Sequence, residues 1–261
     1  MSLGLHPVER TSLPDAVFDQ LAEQILTQRL EPGQPLPSER DLSSALGVNR
    51  QAVREALKRL AQAGLIEQRH GGGSRVLDFR QTGGLDLLTR LLVDADGGPD
   101  RAVARSIMEM RQALAPDIAR LCAARRSEAL VAQLEDIVAE MRDAAQPERE
   151  DLDRLQVLSL ELWELMVTGA DNIAYRLAFN TLRHTYELIR DAMVIALAAE
   201  LRAVDECAAL VRAIADRDEP RARATAETIV ARGTEGVLAA LELLRQIDRT
   251  NPTDAPQEDR P

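Results

Sequence analysis

The stretch "GVNRQAVREALKRLAQAG" (47–64) leaves the chain few conformational options. Asn49 is a preferred residue for starting a helix, and Gly64 suits the position just past a helix end. Between them, Val53, Leu57 and Leu60 recur at i, i+4 and i+7 as an apolar stripe. Arg50, Arg54 and Lys58 recur at i, i+4 and i+8 on another face, with Gln51 beside them. A helix of this pattern buries one side and exposes the other. The arginine row alone fits a solvated face as well as it fits a polyanion, so the flanking sequence has to decide.

Upstream, a helix is expected from about Pro14 to Gln28, with Val17, Leu21, Ile25 and Leu30 near one face. "LEPGQPLP" breaks it with three prolines and a glycine. Ser38 precedes Asp41 by three residues, a short form of the capping box, and opens a brief helix that stops at Gly47. Downstream, "LIEQ" and "SRVLDF" flank "RHGGG" and read as a β-hairpin. No Lys-Ser/Thr follows "HGGG" and no helix starts there, so a hairpin tip fits better than a phosphate loop. The order helix, helix, tight turn, helix, hairpin is that of a winged helix-turn-helix. In that motif the first turns of the second of the two paired helices enter the major groove. There Arg can donate bidentately to guanine and Gln can pair with adenine. His70 is positioned to donate to DNA from the wing.

The remainder is of another kind. "FRQTGGLDLLTRLLVDADGGPD" carries two glycine pairs around a short apolar helix and reads as a connector. From Ala102 to Ile247 the pattern is almost continuously helical, with breaks near Arg126, at "DAAQPERED", at "TGADN", near Glu200 and at "DRDEP". Aromatic residues make up only 2% of the chain, which favours helices over sandwiches or barrels. The expected fold is mainly α, a winged helix-turn-helix with a small hairpin wing followed by an all-α bundle. The expected domains are 1–79 for the winged helix, 80–101 for a linker with a short helix, 102–248 for an all-α bundle, and 249–261 for a disordered polar tail.

Charge follows the same division. The whole chain has a formal net charge of −11, yet residues 38–75 hold seven basic and four acidic residues, a net of +3. Residues 80–261 carry a net of −10. A locally basic segment on an acidic body implies one small polyanion-binding surface. The two cysteines, Cys122 and Cys207, fit neither a disulfide framework nor a zinc spacing. The N-terminus lacks a signal-peptide pattern and no membrane span is expected, which together imply a cytoplasmic protein.

The segment "LEPGQPLPSERDLSSALGVNRQAVREALKRLAQAGLIEQRHGGGSRV" resembles the N-terminal winged helix of the GntR family of bacterial transcription regulators. The matching pattern is "PG..LPSER.LS..LGV.R..VREAL..L...GLI....G.G..V", close over about 65 residues. A weaker similarity over the helical region points to the C-terminal (FCD) domain of the FadR subfamily. The resemblance implies a homodimer on a palindromic operator in double-stranded DNA, with a small-molecule effector in the helical domain setting DNA affinity. By position, Arg40, Arg50, Arg54 and His70 match the family's DNA contacts, Gln51 a variable base-contacting position and Gly71 the wing tip.

Many members of the subfamily bind a metal through one Asp and three His. This chain has three histidines in all, and aligned by its motifs it places Ser159, Trp163, Cys207 and Ile229 at those positions. Indole and isobutyl groups cannot replace imidazole, so neither a metal nor another cofactor is expected. The resemblance then points to the fatty-acid-responsive branch, whose effector is a long-chain acyl-CoA. "DFRQTGGLDLL" is similar to that branch's linker, and "NIAYRLAFNTLRHTYELI" to its central ligand-lining helix. On it, Arg111, Tyr186 and Thr234 match polar pocket positions, with Trp163, Leu165 and Phe179 placed to line an acyl tunnel. The plain alternatives are core packing for Trp163 and Phe179 and a structural ion pair for Arg111. Rival functions are a regulator sensing a small organic acid through Arg111, and a helical interaction protein that does not bind DNA. Catalysis is not expected, since no Ser/His/Asp set fits and the C-terminal region is too short for a pyridoxal-phosphate domain.

Overall fold

Ser12, Ser38 and Asn49 each start a helix by accepting a hydrogen bond from the backbone N–H three residues ahead. In the computed structural model, which describes residues 12–69, 73–93 and 98–250, these caps set up the first of two compact units. Helix α1 spans Leu13–Leu26, α2 Glu39–Leu46 and α3 Arg50–Gln62. The expected first helix is thus shorter at its C-terminal end, because Gln28 turns into the left-handed region with φ 59°. Strands β1 (Ile66–Arg69) and β2 (Gly73–Val76) pair antiparallel, with Ile66 opposite Val76. The proline-rich segment braces this hairpin: Leu36 N–H donates to Ser74 O at 2.8 Å and Gly33 N–H to Val76 O at 2.9 Å.

The unit's core joins Val17, Leu21 and Ile25 of α1 to Val53, Leu57 and Leu60 of α3, with Leu42, Leu65, Ile66 and Val76 closing it. At about 25 cal/mol per Å² of apolar surface removed from water, this shared stripe is the main force fixing α3 against α1. The "linker" takes part. Short helices α4 (Phe79–Thr82) and α5 (Leu88–Leu91) follow the wing, and Leu87 between them is buried in the same core. Arg90 pairs with Asp19 at 2.7 Å and lies 4.6 Å from the Phe18 ring centroid, which ties α5 to α1.

The second unit, from Pro99 onward, is all helical in its described residues. It comprises α6 (Arg101–Arg125), α7 (Glu128–Ala144), α8 (Leu152–Ala170) and α9 (Ile173–Ala196). Then come the short α10 (Ala198–Leu201), α11 (Val204–Ala215) and α12 (Glu219–Thr250). Helix α6 packs against α8, α11 and α12 around a core that includes Leu134, Leu158, Met166, Leu210 and Ile214. Helix α9 folds back along α8. Asp171 in the left-handed region ends α8, and Asn172 caps α9 by accepting from Ala174 and Tyr175 N–H. Glu164 of α8 then pairs with Arg176 and Arg183 of α9. Of α9's residues only Thr185 is fully buried, while Ile173, Leu177, Leu188 and Ile195 are exposed. Helix α12 runs to Thr250, and residues 251–261 lie outside those described.

Candidate nucleic-acid interface and effector site

Arg50 and Gln51 occupy the first turn of α3 and Arg54 the second, all three exposed, while Val53, Leu57 and Leu60 on the other side are buried. The apolar stripe therefore fixes which way the polar face points. Gly47, in the left-handed region at φ 65°, ends α2 and makes the tight turn into Asn49. Gly64, at φ 70°, ends the α3 region, and a Cβ there would lie 2.3 Å from Thr82 O. Behind it, Thr82 Oγ1 donates to Gly64 O at 2.6 Å and Leu77 N–H to Leu65 O at 2.9 Å. Both ends of α3 are thus held by backbone geometry, so its exposed face is a rigid display.

Arg54 is oriented by Glu39 of α2. Its Nη2 donates to Glu39 Oε2 at 2.9 Å, and its Nε lies 3.2 Å from each carboxylate oxygen. This hydrogen bonding holds the Glu39 carboxyl below its usual range, helped by the charges of Arg54 and Arg50, and raises Arg54 in turn. Arg40 is exposed, with only a loose 3.7 Å approach to Asp41. His70 and Gly71 lie outside the described residues, as does the rest of the wing tip.

In the helical unit, Arg111 pairs with a residue that the sequence reasoning missed, Glu200, and Tyr186 lies near enough to feel the same carboxylate's charge. Arg111 Nη1 donates to Glu200 Oε2 at 2.9 Å and Nη2 pairs with Oε1, a two-pronged pair between α6 and α10. Thr234 is buried on α12 beside Gly233, and its hydroxyl donates to Val230 O at 2.9 Å. Tyr186 is half-buried. Burial pushes its phenol up to about 12; the Gln156 amide offsets part of this and Glu200 adds to it. Gln156 itself is buried on α8 and donates to Arg190 O at 2.9 Å.

Trp163 and Phe179 sit further along the α8–α9 pair. Each is two turns from the polar residue on its own helix, Gln156 and Tyr186 respectively. Trp163 is buried in the core, whereas Phe179 and Leu165 are only half-buried, and Arg176 lies 6.0 Å from the Phe179 ring centroid. Cys207 and Ile229 are buried. Burial pushes the Cys207 thiol up to about 12, with Glu200 and Glu206 adding to the shift. Among the described residues, no group of three or more His, Cys, Asp or Glu could hold a metal ion.

Residues 13–76 match the bacterial regulatory proteins of the gntR family, and residues 106–232 match the FCD domain. The HTH-type transcriptional regulator Mce2R of Mycobacterium tuberculosis is 38% identical over 239 residues, 92% of this chain and 97% of that protein. The chain belongs to the GntR family. Within it, the fatty acid metabolism regulator protein of Edwardsiella ictaluri is 31% identical over 169 residues, 64% of this chain and 66% of that one. The solved structure of Lar from Listeria monocytogenes covers 89% of this chain and 99% of its own, with a TM-score of 0.54 and 17% identity, a likeness of fold. A GntR helix-turn-helix joined to an FCD domain makes this chain a transcriptional regulator with a DNA-binding domain. Among the described residues, no helix is long and apolar enough to cross a membrane.

Proposed function

We propose that this GntR/FCD regulator binds a palindromic operator as a homodimer, and that an effector in the helical unit sets its affinity for DNA. The observation that carries the reading is the rigid, exposed face of Arg50, Gln51 and Arg54 on the first two turns of α3. Arg50 and Gln51 have the donor geometry for base edges in the major groove, and Arg54 and Arg40 reach toward bases or flanking phosphates. His70 and Gly71 are assigned to the wing's contact with DNA on the family resemblance. The protein acts by binding and not by catalysis, in the cytoplasm where its DNA target lies. The effector is a long-chain acyl-CoA, held at its polar end by Arg111, Tyr186 and Thr234, with Trp163 and Phe179 along the acyl chain. The likeness to proteins named fatty acid metabolism regulators supports this choice.

Selection from a random duplex pool, followed by fluorescence anisotropy over a salt series, tests the DNA half. A palindromic consensus bound by two chains, with affinity falling steeply as salt rises, is the expected result. Equal affinity for the selected and a scrambled duplex would sink it. Titrating the selected complex with palmitoyl-CoA tests the effector half, and no change in anisotropy at any concentration would remove acyl-CoA as the effector.

A further inference from the structure

The pair between Arg111 and Glu200 is unequal in burial. The Glu200 side chain is 3% exposed, whereas that of Arg111 keeps 22%. The cation can therefore be met from solvent while its resident anion is enclosed. The enclosure is shaped for a carboxylate. A Cβ at Gly233 would fall 1.8 Å from Glu200 Oε2, so glycine at that point of α12 is what lets the carboxylate lie against the helix. Glycine in a helix interior is less favourable than alanine, and here it leaves room for one oxygen atom. The Tyr186 hydroxyl and the Cys207 thiol lie near enough to feel the same carboxylate's charge.

A buried ion pair is a poor source of stability, because desolvating both charges offsets most of their attraction. It does create a planar guanidinium fork, held in place and matched to a two-oxygen anion. Glu200 also lies on the four-residue helix α10, between the ends of α9 and α11, and not within a long helix. Moving its carboxylate therefore need not unwind a bundle helix.

We propose that Arg111 heads an exchangeable anion seat whose resident occupant is the Glu200 carboxylate, and that an effector's carboxylate or phosphate enters by displacing it. The exchange keeps Arg111 neutralised and sends the Glu200 carboxylate toward water. Glu200 thereby sets the threshold for the ligand: it rejects neutral molecules and makes an anion compete for its place. The role in effector binding rests on the reading above that Arg111 meets the effector's anionic end, but the seat itself can be tested apart from any effector.

Glu200→Ala removes a group the size of acetate. Acetate is expected to raise the melting temperature of that variant, where chloride at the same ionic strength does not. The parent protein and the double variant Glu200→Ala/Arg111→Met should show no such difference. Glu200→Gln, which keeps the shape, should bind palmitoyl-CoA about tenfold more tightly than the parent by isothermal titration. Citrate, as a small carboxylate probe, separates a phosphate-bearing from a carboxylate-bearing effector in the same variants.

Acetate rescue together with tighter palmitoyl-CoA binding supports both the seat and the acyl-CoA reading. Rescue with no palmitoyl-CoA binding in any variant keeps the seat and removes acyl-CoA. Palmitoyl-CoA binding that ignores Glu200→Gln, with no acetate rescue, overturns the seat and leaves acyl-CoA standing. No acetate rescue and no palmitoyl-CoA binding in any variant overturns both. If Glu200→Ala does not fold, the palmitoyl-CoA and citrate affinities of Glu200→Gln decide: tightening of either supports the seat, and no change in both overturns it.

Discussion

Glu39 holds Arg54 across the helix-turn-helix, from the first residue of α2 to the second turn of α3, through three N–O approaches of 2.9–3.2 Å. The pair is exposed, so its effect on stability is small, but it removes rotamer freedom from a residue on the proposed DNA face. Arg54→Ala should weaken operator binding. Glu39→Ala should weaken it too, though the variant gains positive charge, while leaving binding to random duplex equal or stronger. Anisotropy on both duplexes checks this, and unchanged operator affinity in both variants would count against any role for the pair.

The same pair has a pH signature. Hydrogen bonding from Arg54 lowers the Glu39 carboxyl below 4.5, its ordinary value. A depressed folded pKa means that the interaction is fully present above the ordinary value and is lost as pH falls through the lowered one. Operator affinity should therefore show no step from Glu39 between about pH 5.5 and 8. A titration step in that interval that disappears in Glu39→Gln would contradict the assignment.

Arg50 and Gln51 should behave differently from Arg54 because no ion pair of theirs competes for their donors in the described contacts. Arg50→Ala is expected to cost about 1–3 kcal/mol on the operator and to relax preference at one base pair of each half-site. Gln51→Ala should shift preference chiefly at an adenine. Repeating the duplex selection with each variant reads this out directly, and an unaltered consensus for both would remove α3 from the major groove.

The helix-turn-helix was legible because its determinants are local. Ser38, Asn49, Gly47 and Gly64 each act within four residues, and the Val53, Leu57, Leu60 stripe needs only helical periodicity. Glu200 was not legible, because its partner Arg111 lies 89 residues away and ion pairing leaves no periodic trace. A signal was nonetheless present in Gly233, a glycine within an otherwise regular helix, which marks a close approach. The segment after the wing was legible as a short helix between glycine pairs, but its share in the core was not. Its glycines read as a connector, yet Leu87 between them is buried in the core with α1 and α3. Helix α9 has an apolar pattern fit for a central helix, but in the structure much of that pattern is exposed.

Gly64 carries two constraints at once, a left-handed backbone and a neighbour at 2.3 Å that is main chain and cannot rotate away. Gly64→Ala should therefore cost more than the 1–2 kcal/mol usual for a left-handed non-glycine residue. Urea denaturation of the first unit's signal would show it, and a change below about 0.5 kcal/mol would mean that Thr82 is not packed on this turn. Gly47→Ala, with a similar φ but nothing within 4 Å of its Cβ, is the control and should cost less.

Asp117 joins three elements of the helical unit. It accepts from Arg120 Nε at 2.7 Å, from the Tyr175 hydroxyl at 2.9 Å and from Arg223 at 3.3 Å, linking α6 to α9 and α12. Hydrogen bonding from Arg120 holds its carboxyl below 3.8, with Tyr175 and the two guanidinium charges lowering it further against the cost of burial. By the sign rule for a depressed carboxyl, the stabilisation is complete above about pH 4 and fades as pH falls through the lowered value. Asp117→Asn keeps the shape and loses the charge, so it should destabilise the unit by about 1–3 kcal/mol at neutral pH, and the gap from the parent should close in acid. Tyr175→Phe removes one donor only and should cost less, leaving Arg120 and Arg223 in place. Denaturation curves of parent and both variants at pH 7 and near pH 3 make the comparison. A deficit in Asp117→Asn of equal size at both pH values would show that packing, and not the carboxylate, ties α9 to α6.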